Sequence, residues 1–305
     1  MRHVTHVVVN GPASWNTVVR LAELPEPYPH MVLASGHHDG LGGTSAGKSV
    51  TLAALGVPTT LVTTTGDDAF ASLVLQALRS GRHGDRLRVV TRPARDGRTE
   101  RHVNLVSDEG DRLSVYLELP TAPPPDDETL DLVRTARTAV LDLADSSRPL
   151  LAVARAAGVP VWCDVHDDDG VSDYARAFVA AADVLLVSDA RLTDPGAYLS
   201  AAVAGGATLA VATRGERGAI ARDGDGWWEV GVADAGPLRD AEGAGDAFLA
   251  GLLHATLAGA PRAQALARAA ATAAIAVASP GIGAPHVAAA AVERLAAQVR
   301  VTRVE

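Results

Sequence analysis

From Leu132 onward, strand-like and helix-like segments alternate along the chain, and this alternation limits the fold more than any other feature. Thr138–Leu143 is an apolar, β-prone run, followed by a helical pattern over Leu150–Ala157 that Gly158 closes. Val159–Cys163, Val184–Val187 and Thr208–Ala212 continue the strands, with helical patterns at Asp173–Ala182 and Tyr198–Ala204 between them. Strands separated by helices build βαβ units, and these give a parallel sheet covered on both faces. Such sheets gather ligands at the carboxyl ends of their strands. Asp164, Ser188, Thr213 and the turn Asp240–Asp246 all fall at or just after such ends.

Other segments break the rhythm. Arg101–Val106 and Arg112–Leu119 are β-rich and joined by Asp108-Glu109-Gly110, which predicts a hairpin that a purely parallel sheet cannot contain. The first strand is expected at Val4–Val9, Met31–Ala34 has the makings of a short strand, and Ser35–Leu41 is a long polar approach. Beyond Gly245 the pattern is helical, over Ala247–Ala258, Arg262–Ala278 and Val287–Val299.

Composition removes several classes of function. A net charge of −9 gives no basic face for nucleic acid. The single cysteine, Cys163, excludes an internal disulfide framework and a cysteine-based metal cluster. No apolar run reaches membrane-spanning length, and the expectation is a soluble, cytoplasmic enzyme with no membrane partner. A chain of 305 residues buries about three quarters of its unfolded surface, enough for a core without staples.

Chemistry concentrates in Asp240-Ala241-Glu242-Gly243-Ala244-Gly245-Asp246-Ala247-Phe248. A small-residue turn opening into a helix bares N–H groups at the positive end of the helix dipole and favours an anion such as phosphate. Asp246 adds a carboxylate in the first helical turn. It would repel a phosphate, yet it suits a base that takes a proton from a hydroxyl attacking phosphorus.

A rival signal lies in Gly42-Gly43-Thr44-Ser45-Ala46-Gly47-Lys48-Ser49, which satisfies the phosphate-loop pattern G-x-x-x-x-G-K-[ST]. The first strand, however, is separated from Gly42 by a stretch carrying Pro25, Pro27 and Pro29, whereas a phosphate loop follows its strand directly. Lys48 is the only lysine in the chain, set near a helix N-terminus where the dipole disfavours a cation.

Four segments, in order, carry a resemblance to the ribokinase-like (PfkB) family of carbohydrate and nucleoside kinases. These are Gly42-Gly43 running into Leu55-Gly56, Gly66-Asp67-Asp68, Thr213-Arg214-Gly215-Glu216-Arg217-Gly218, and the Asp240–Asp246 signature. The resemblance covers nearly the whole chain. It implies one α/β domain over 1–305, with a doubly wound, mostly parallel sheet flanked by helices. A small β lid, drawn from parts of 12–40 and 98–120, would be inserted in the core. It further implies Asp246 as catalytic base, with Gly243, Ala244 and Gly245 as the anion hole. Thr213, Gly215 and Gly218 would cup ATP, and Ala274 and Val277 would pack against its base.

On the acceptor side the resemblance selects Asn16, Gly42, Gly43, Gly47, Lys48 and Asp246. Asn16 stands where many sugar kinases carry an aspartate, and Gly47 replaces an asparagine; His37 or His38 is expected to supply the contact that Gly47 lacks. Asp189 is the main candidate for Mg²⁺, with Asp164 and Glu242 as weaker ones, although Arg191 reverses a charge in the family's metal segment. Glu242 also leaves room for a monovalent cation. The resulting expectation is an ATP-dependent kinase for a hydroxyl, a primary alcohol, of a small sugar or polyol. A nucleoside kinase, a catalytically weak sugar-binding relative and a P-loop ATPase are the alternatives, and the oligomeric state is left open to a homodimer.

Overall fold

A computed structural model of the protein describes residues 6–81, 84–279 and 281–304. A ten-stranded sheet forms the centre. Its parallel part comprises β1 (Val7–Asn10), β4 (Thr59–Thr65), β5 (Leu87–Pro93), β8 (Thr138–Leu141), β9 (Val161–Asp164), β10 (Val184–Ser188) and β11 (Leu209–Thr213). Antiparallel strands β12 (Ala219–Asp223), β13 (Gly226–Val230) and β14 (Val301–Val304) extend one edge. The order is β14-β13-β12-β11-β10-β9-β8-β1-β4-β5, so the chain reverses direction across the sheet at β1. That reversal opens a crevice at the carboxyl end of β1, where Asn10 leads into Gly11.

Alternation within each strand sorts its side chains into two cores. Val7, Val9, Val140, Leu186 and Val211 pack on one face with α1 (Thr44–Ala54), α2 (Ala69–Ser80), α7 (Ala244–Leu257) and α8 (Arg262–Val277). Val8, Leu141, Cys163, Leu185 and Ala210 pack on the other with α3 (Asp127–Thr135), α4 (Arg148–Ala156), α5 (Asp173–Ala181) and α6 (Pro195–Ala204). A further helix, α9 (Ala289–Ala296), lies against α8.

A second sheet of four strands, in the order β3-β2-β6-β7, stands apart from the main one. It consists of β2 (Ser14–Leu21), β3 (Gly36–Gly42), β6 (Arg101–Ser107) and β7 (Arg112–Glu118). The expected hairpin is β6 and β7, antiparallel, and β2 joins β6 in parallel.

Three expectations are corrected. The polar approach Ser35–Leu41 is mostly strand β3, held by backbone pairing to β2, while Met31 and Leu33 lie in exposed coil. The C-terminal region is not wholly helical, because β14 pairs with β13. The first strand is β1 from Val7; the expected start at Val4 lies outside the described residues.

Candidate active site

The floor of the crevice is built around Lys48. Helix α1 is buried along almost its whole length, and the Lys48 side chain is fully enclosed. Its Nζ lies 2.6 Å from Asp246 Oδ1, 3.0 Å from Asp142 Oδ1 and 3.1 Å from Asp164 Oδ2. The ammonium donates a hydrogen bond to Asp246 Oδ1, while Asp142 Oδ1 meets it as a charge contact and accepts no hydrogen bond. Asp142 follows β8 directly and also accepts from Ser45 Oγ at 2.5 Å and Thr44 Oγ1 at 3.3 Å. Asp164 ends β9 and accepts the backbone N–H of His166 at 3.0 Å. An unpaired charge in such a place would cost several kcal/mol, so the cage is tenable only because opposite charges meet.

The cage sets the ionisation of its members. Burial works against a charged Lys48, yet Asp142, Asp246 and Asp164 together hold its ammonium well above the usual lysine range. Burial also pushes Asp164 up, but Lys48 and His166 overrule it and leave the carboxyl below its ordinary value. Asp246 goes the other way: burial raises it to about 6, helped by Asp164 and Asp142, while Lys48 alone among the nearby charges pulls it down. Oδ1 of Asp246 is thus held by the lysine, and among the described residues no hydrogen bond engages Oδ2.

Asp246 sits in the first turn of α7. Its N-cap, Gly243, is left-handed (φ 72°) and supplies no side-chain cap; the Ala244 N–H makes one long bond to the Ala241 carbonyl at 3.4 Å, and the Gly245 and Asp246 N–H groups carry the bare end of the dipole. A Cβ at Gly243 would lie 2.3 Å from the Gly283 nitrogen, so the turn has no room for any other residue. A Cβ at Gly47 would come within 2.8 Å of Asp246 Oδ2. Helix α1 likewise starts after Gly43 (φ 92°) with no side-chain cap, although its Ala46 N–H donates to the Pro12 carbonyl at 3.2 Å. Gly43, Thr44, Gly243 and Asp246 line the same cleft, of about 380 Å³.

The small sheet roofs that cleft. Asn16, His102 and Tyr116 stand side by side on β2, β6 and β7, and the rings of His102 and Tyr116 are 4.0 Å apart. His102 Nε2 is 2.9 Å from Glu100 Oε1. Asn16 is nearly buried and accepts from Ser14 Oγ at 2.8 Å. It packs so closely on Gly42 that a Cβ there would be 2.1 Å from its Nδ2, which explains the first glycine of the pair. Asn104 Nδ2 donates to Glu242 Oε1, and Arg20 donates to the Arg239 carbonyl at 2.8 Å, so the roof is tied to the signature turn at two points. His37 and His38 are exposed on edge strand β3 and do not line the cleft, contrary to the expectation for them.

Thr213 ends β11, and Gly215 and Gly218 follow it, outside the cleft walls, where Gly215–Arg217 makes a single 3₁₀ turn. Gly218 (φ 78°) is required there, since a Cβ would meet the Val230 carbonyl at 2.0 Å. Ala274 and Val277 belong to the last turn of α8, whose Val277 carbonyl accepts the N–H groups of Arg239 and Asp240 at 2.8 and 3.1 Å. The end of α8 is thereby fixed to the strand of chain that leads into Gly243.

The three metal candidates are engaged elsewhere. Asp189 pairs with Arg217 at 2.6 Å, Asp164 with Lys48, and Glu242 with Asn104. No group of three His, Cys, Asp or Glu side chains among the described residues surrounds a metal-sized position. The donor set therefore does not fit a protein-held Mg²⁺, and Asp164 in particular already has its counter-charge in the lysine.

Sequence reasoning gave no role to Asp145 or Tyr174 on the far wall of the cleft; it met His166 only as a departure from the family pattern, and Asp142, beneath the cleft, only as a Walker B candidate of the phosphate-loop reading. Asp142 left one trace, an apolar run ending in an acid. The unique lysine left the other.

Comparison with known proteins agrees with this geometry. The model for the pfkB family carbohydrate kinases matches residues 4–289. An acarbose 7(IV)-phosphotransferase from Actinoplanes sp. (strain ATCC 31044 / CBS 674.73 / SE50/110) is 32% identical over 273 residues, covering 86% of this chain and 88% of its own. The structure of a microbiome-derived acarbose kinase, Mak1, superposes with a TM-score of 0.83 at 28% identity, over 96% of this chain and 99% of that one. Arabidopsis thaliana ribokinase, complexed with ribose and ATP, shares the fold at a TM-score of 0.76 and 24% identity, over 96% and 98% of the two chains. The two-sheet architecture, the uncapped glycine turn into α7 and the match over most of the sequence make this chain a member of the pfkB family of carbohydrate kinases, an ATP-dependent enzyme that phosphorylates a sugar.

Proposed function

We propose that Asp246 is the general base in transfer of the ATP γ-phosphoryl group to a hydroxyl of an oligosaccharide of the acarbose type. The observation that carries this reading is the position of Asp246 itself. Its Oδ2 is unengaged, it lines the cleft, and it stands one turn inside the bare N-terminus of α7. As the acceptor oxygen bonds to the γ-phosphorus, its proton passes to Asp246 Oδ2 and the bond from that phosphorus to the bridging oxygen breaks, releasing ADP. The N–H groups after Gly243 stabilise the charge on the migrating group. Thr213, Gly215 and Gly218, with Ala274 and Val277, form the nucleotide side of the reading, and Mg²⁺ comes in on the triphosphate rather than in a protein cage.

The acceptor class follows from two relatives whose names specify acarbose and from the cleft's extent. At about 380 Å³ it is in the range of sites that enclose a whole small-molecule ligand, roughly 300–1,000 Å³. Its walls mix hydroxyl-binding groups, such as Asn16, Glu100 and Asp145, with the faces of Tyr116 and Tyr174. Incubating the protein with Mg-ATP and a panel of acarbose, maltose-type oligosaccharides, monosaccharides and nucleosides, followed by mass spectrometry, identifies the acceptor. Phosphorylation of nucleosides alone would refute the acceptor assignment. Asp246→Asn, nearly isosteric, is expected to bind ATP normally and to lose about 10²–10⁴ in turnover; a fully active variant would refute the base.

A further inference from the structure

The geometry assigns Lys48 a role as positioning residue: it is an internal counter-ion that offsets part of the negative charge of Asp142 and Asp164, so that Asp246 stays ionised and turned toward the cleft. The inference rests on Asp246 being the base. Three carboxylates converge on one point, and the positive charge that all three share is an ammonium within 3.1 Å of each. Carboxylates sharing a site cannot all remain ionised without a cation, since like charges raise one another's proton affinity. Asp246 is the member whose own affinity is raised, so it is the one that would take up the proton if the lysine were absent.

The enclosure decides between this role and the phosphate-loop reading. A phosphate-binding lysine must reach a ligand in the cleft, and Lys48 is wholly buried with all three neighbours acidic. Leaving the cage would strand three buried carboxylates. Its placement also fixes which oxygen works: the ammonium holds Oδ1, which leaves Oδ2 for the acceptor proton. The other groups around Asp246 do not supply the missing charge. Gly281, Ile282, Gly283 and Ala284 opposite it carry no ionisable side chain, Glu242 on its own loop is turned to Asn104, and His166 stands against Asp164.

The test follows the charge rather than the fold. In wild-type protein labelled with ¹³C-carboxyl aspartate, the Asp246 signal is assigned by its loss in Asp246→Asn and titrated; kcat/KM is measured over the same pH range. Lys48→Met is expected to raise both the titration midpoint and the acidic limb of the rate profile by about one to three pH units, the size of one removed counter-charge. From a wild-type value of about 6, this means a loss at pH 7 of roughly 2- to 100-fold that base restores. The charge-matched variant Lys48→Met/Asp142→Asn, which removes one charge of each sign, is expected to bring the limb back toward the wild-type position. Asp142→Asn alone, which keeps the lysine, is expected to move it down, and this arm serves even if Lys48→Met does not fold.

A rate loss in Lys48→Met of equal size at every pH, or an Asp246 midpoint unmoved in Asp142→Asn, would overturn the assignment. So would a loss confined to KM for ATP, which would make Lys48 a phosphate ligand. Full activity in Asp246→Asn, by contrast, would remove the base and leave the Lys48 cage without a catalytic purpose. The two failures are thus distinguishable.

Discussion

The floor and the roof of the cleft are held by different physics. The floor is defined by burial: Lys48, Asp142, Asp164 and Asp246 sit at strand ends and in first helical turns, with exposures near zero and short contacts to one another. The roof is a thin four-stranded sheet whose outer residues Leu113, Val115 and Leu117 are exposed, and it meets the signature turn through Asn104 and Arg20. In the floor, position is over-determined, so a change there alters the chemistry itself. In the roof, each residue contributes one or two polar contacts, so a change there alters how well a sugar is held.

The largest test of this contrast lies at Gly243. Its left-handed backbone and the 2.3 Å approach to Gly283 leave no space for a side chain, so Gly243→Val is expected to displace the first N–H groups of α7. Loss of a preorganised donor costs about 10²–10³ in turnover. Saturation kinetics should show a fall in kcat with KM for the sugar nearly unchanged; the opposite pattern would break the division between floor and roof.

Asn16→Ala should give the converse, at smaller size. It removes a nearly buried amide from the roof and leaves Ser14 Oγ without its acceptor. A lost hydrogen bond of this kind costs about 1–3 kcal/mol, or roughly 5- to 150-fold in acceptor affinity. Paired titrations with acceptor and with an ATP analogue check it, and only the first is expected to change. The smallest effect is expected from Asn104→Ala, which cuts one tie between roof and floor. A net hydrogen bond of about 0.5–1.5 kcal/mol predicts a rise of roughly 2- to 13-fold in acceptor KM at constant kcat. A drop in kcat instead would mean that the tie to Glu242 helps place the signature turn.

The same contrast governs what could be read from the sequence. The parallel strands after Leu132 were legible because each is a short apolar run bounded by helical patterns, as in Val184–Ser188 and Leu209–Thr213, whereas β4 (Thr-Thr-Leu-Val-Thr-Thr-Thr) and β5 (Leu-Arg-Val-Val-Thr-Arg-Pro) carry too many polar residues to announce themselves. The β6–β7 hairpin was legible from its turn residues. Strand β3, Gly-His-His-Asp-Gly-Leu-Gly, was not, because it has no β-branched residue and exists through its pairing with β2. Strand β14 is four residues long and follows alanine-rich helices, so only its partner β13 reveals it. In the site, Gly243 and Asp246 are adjacent in sequence and carry a local motif. The cage is different: Lys48 and Asp246 are 198 residues apart, and no local pattern announces that α1 and α7 will bring them together. The lysine stood out by being unique and by its G-x-x-x-x-G-K-[ST] setting, and neither mark pointed to Asp164, whose ion-pair partner comes from a distant helix.

One consequence of that cage concerns occupancy. A counter-ion drawn from solution is present in proportion to its concentration and affinity, and it can be diluted, exchanged or competed away. An ammonium attached to the chain is present in every molecule at all times. Buried pairs are also screened far less than surface charges by dissolved salt. The acidic floor therefore carries its neutralising charge independently of the ionic composition around the protein, and changes in salt act on this enzyme at its exposed roof and at its nucleotide, not beneath its base.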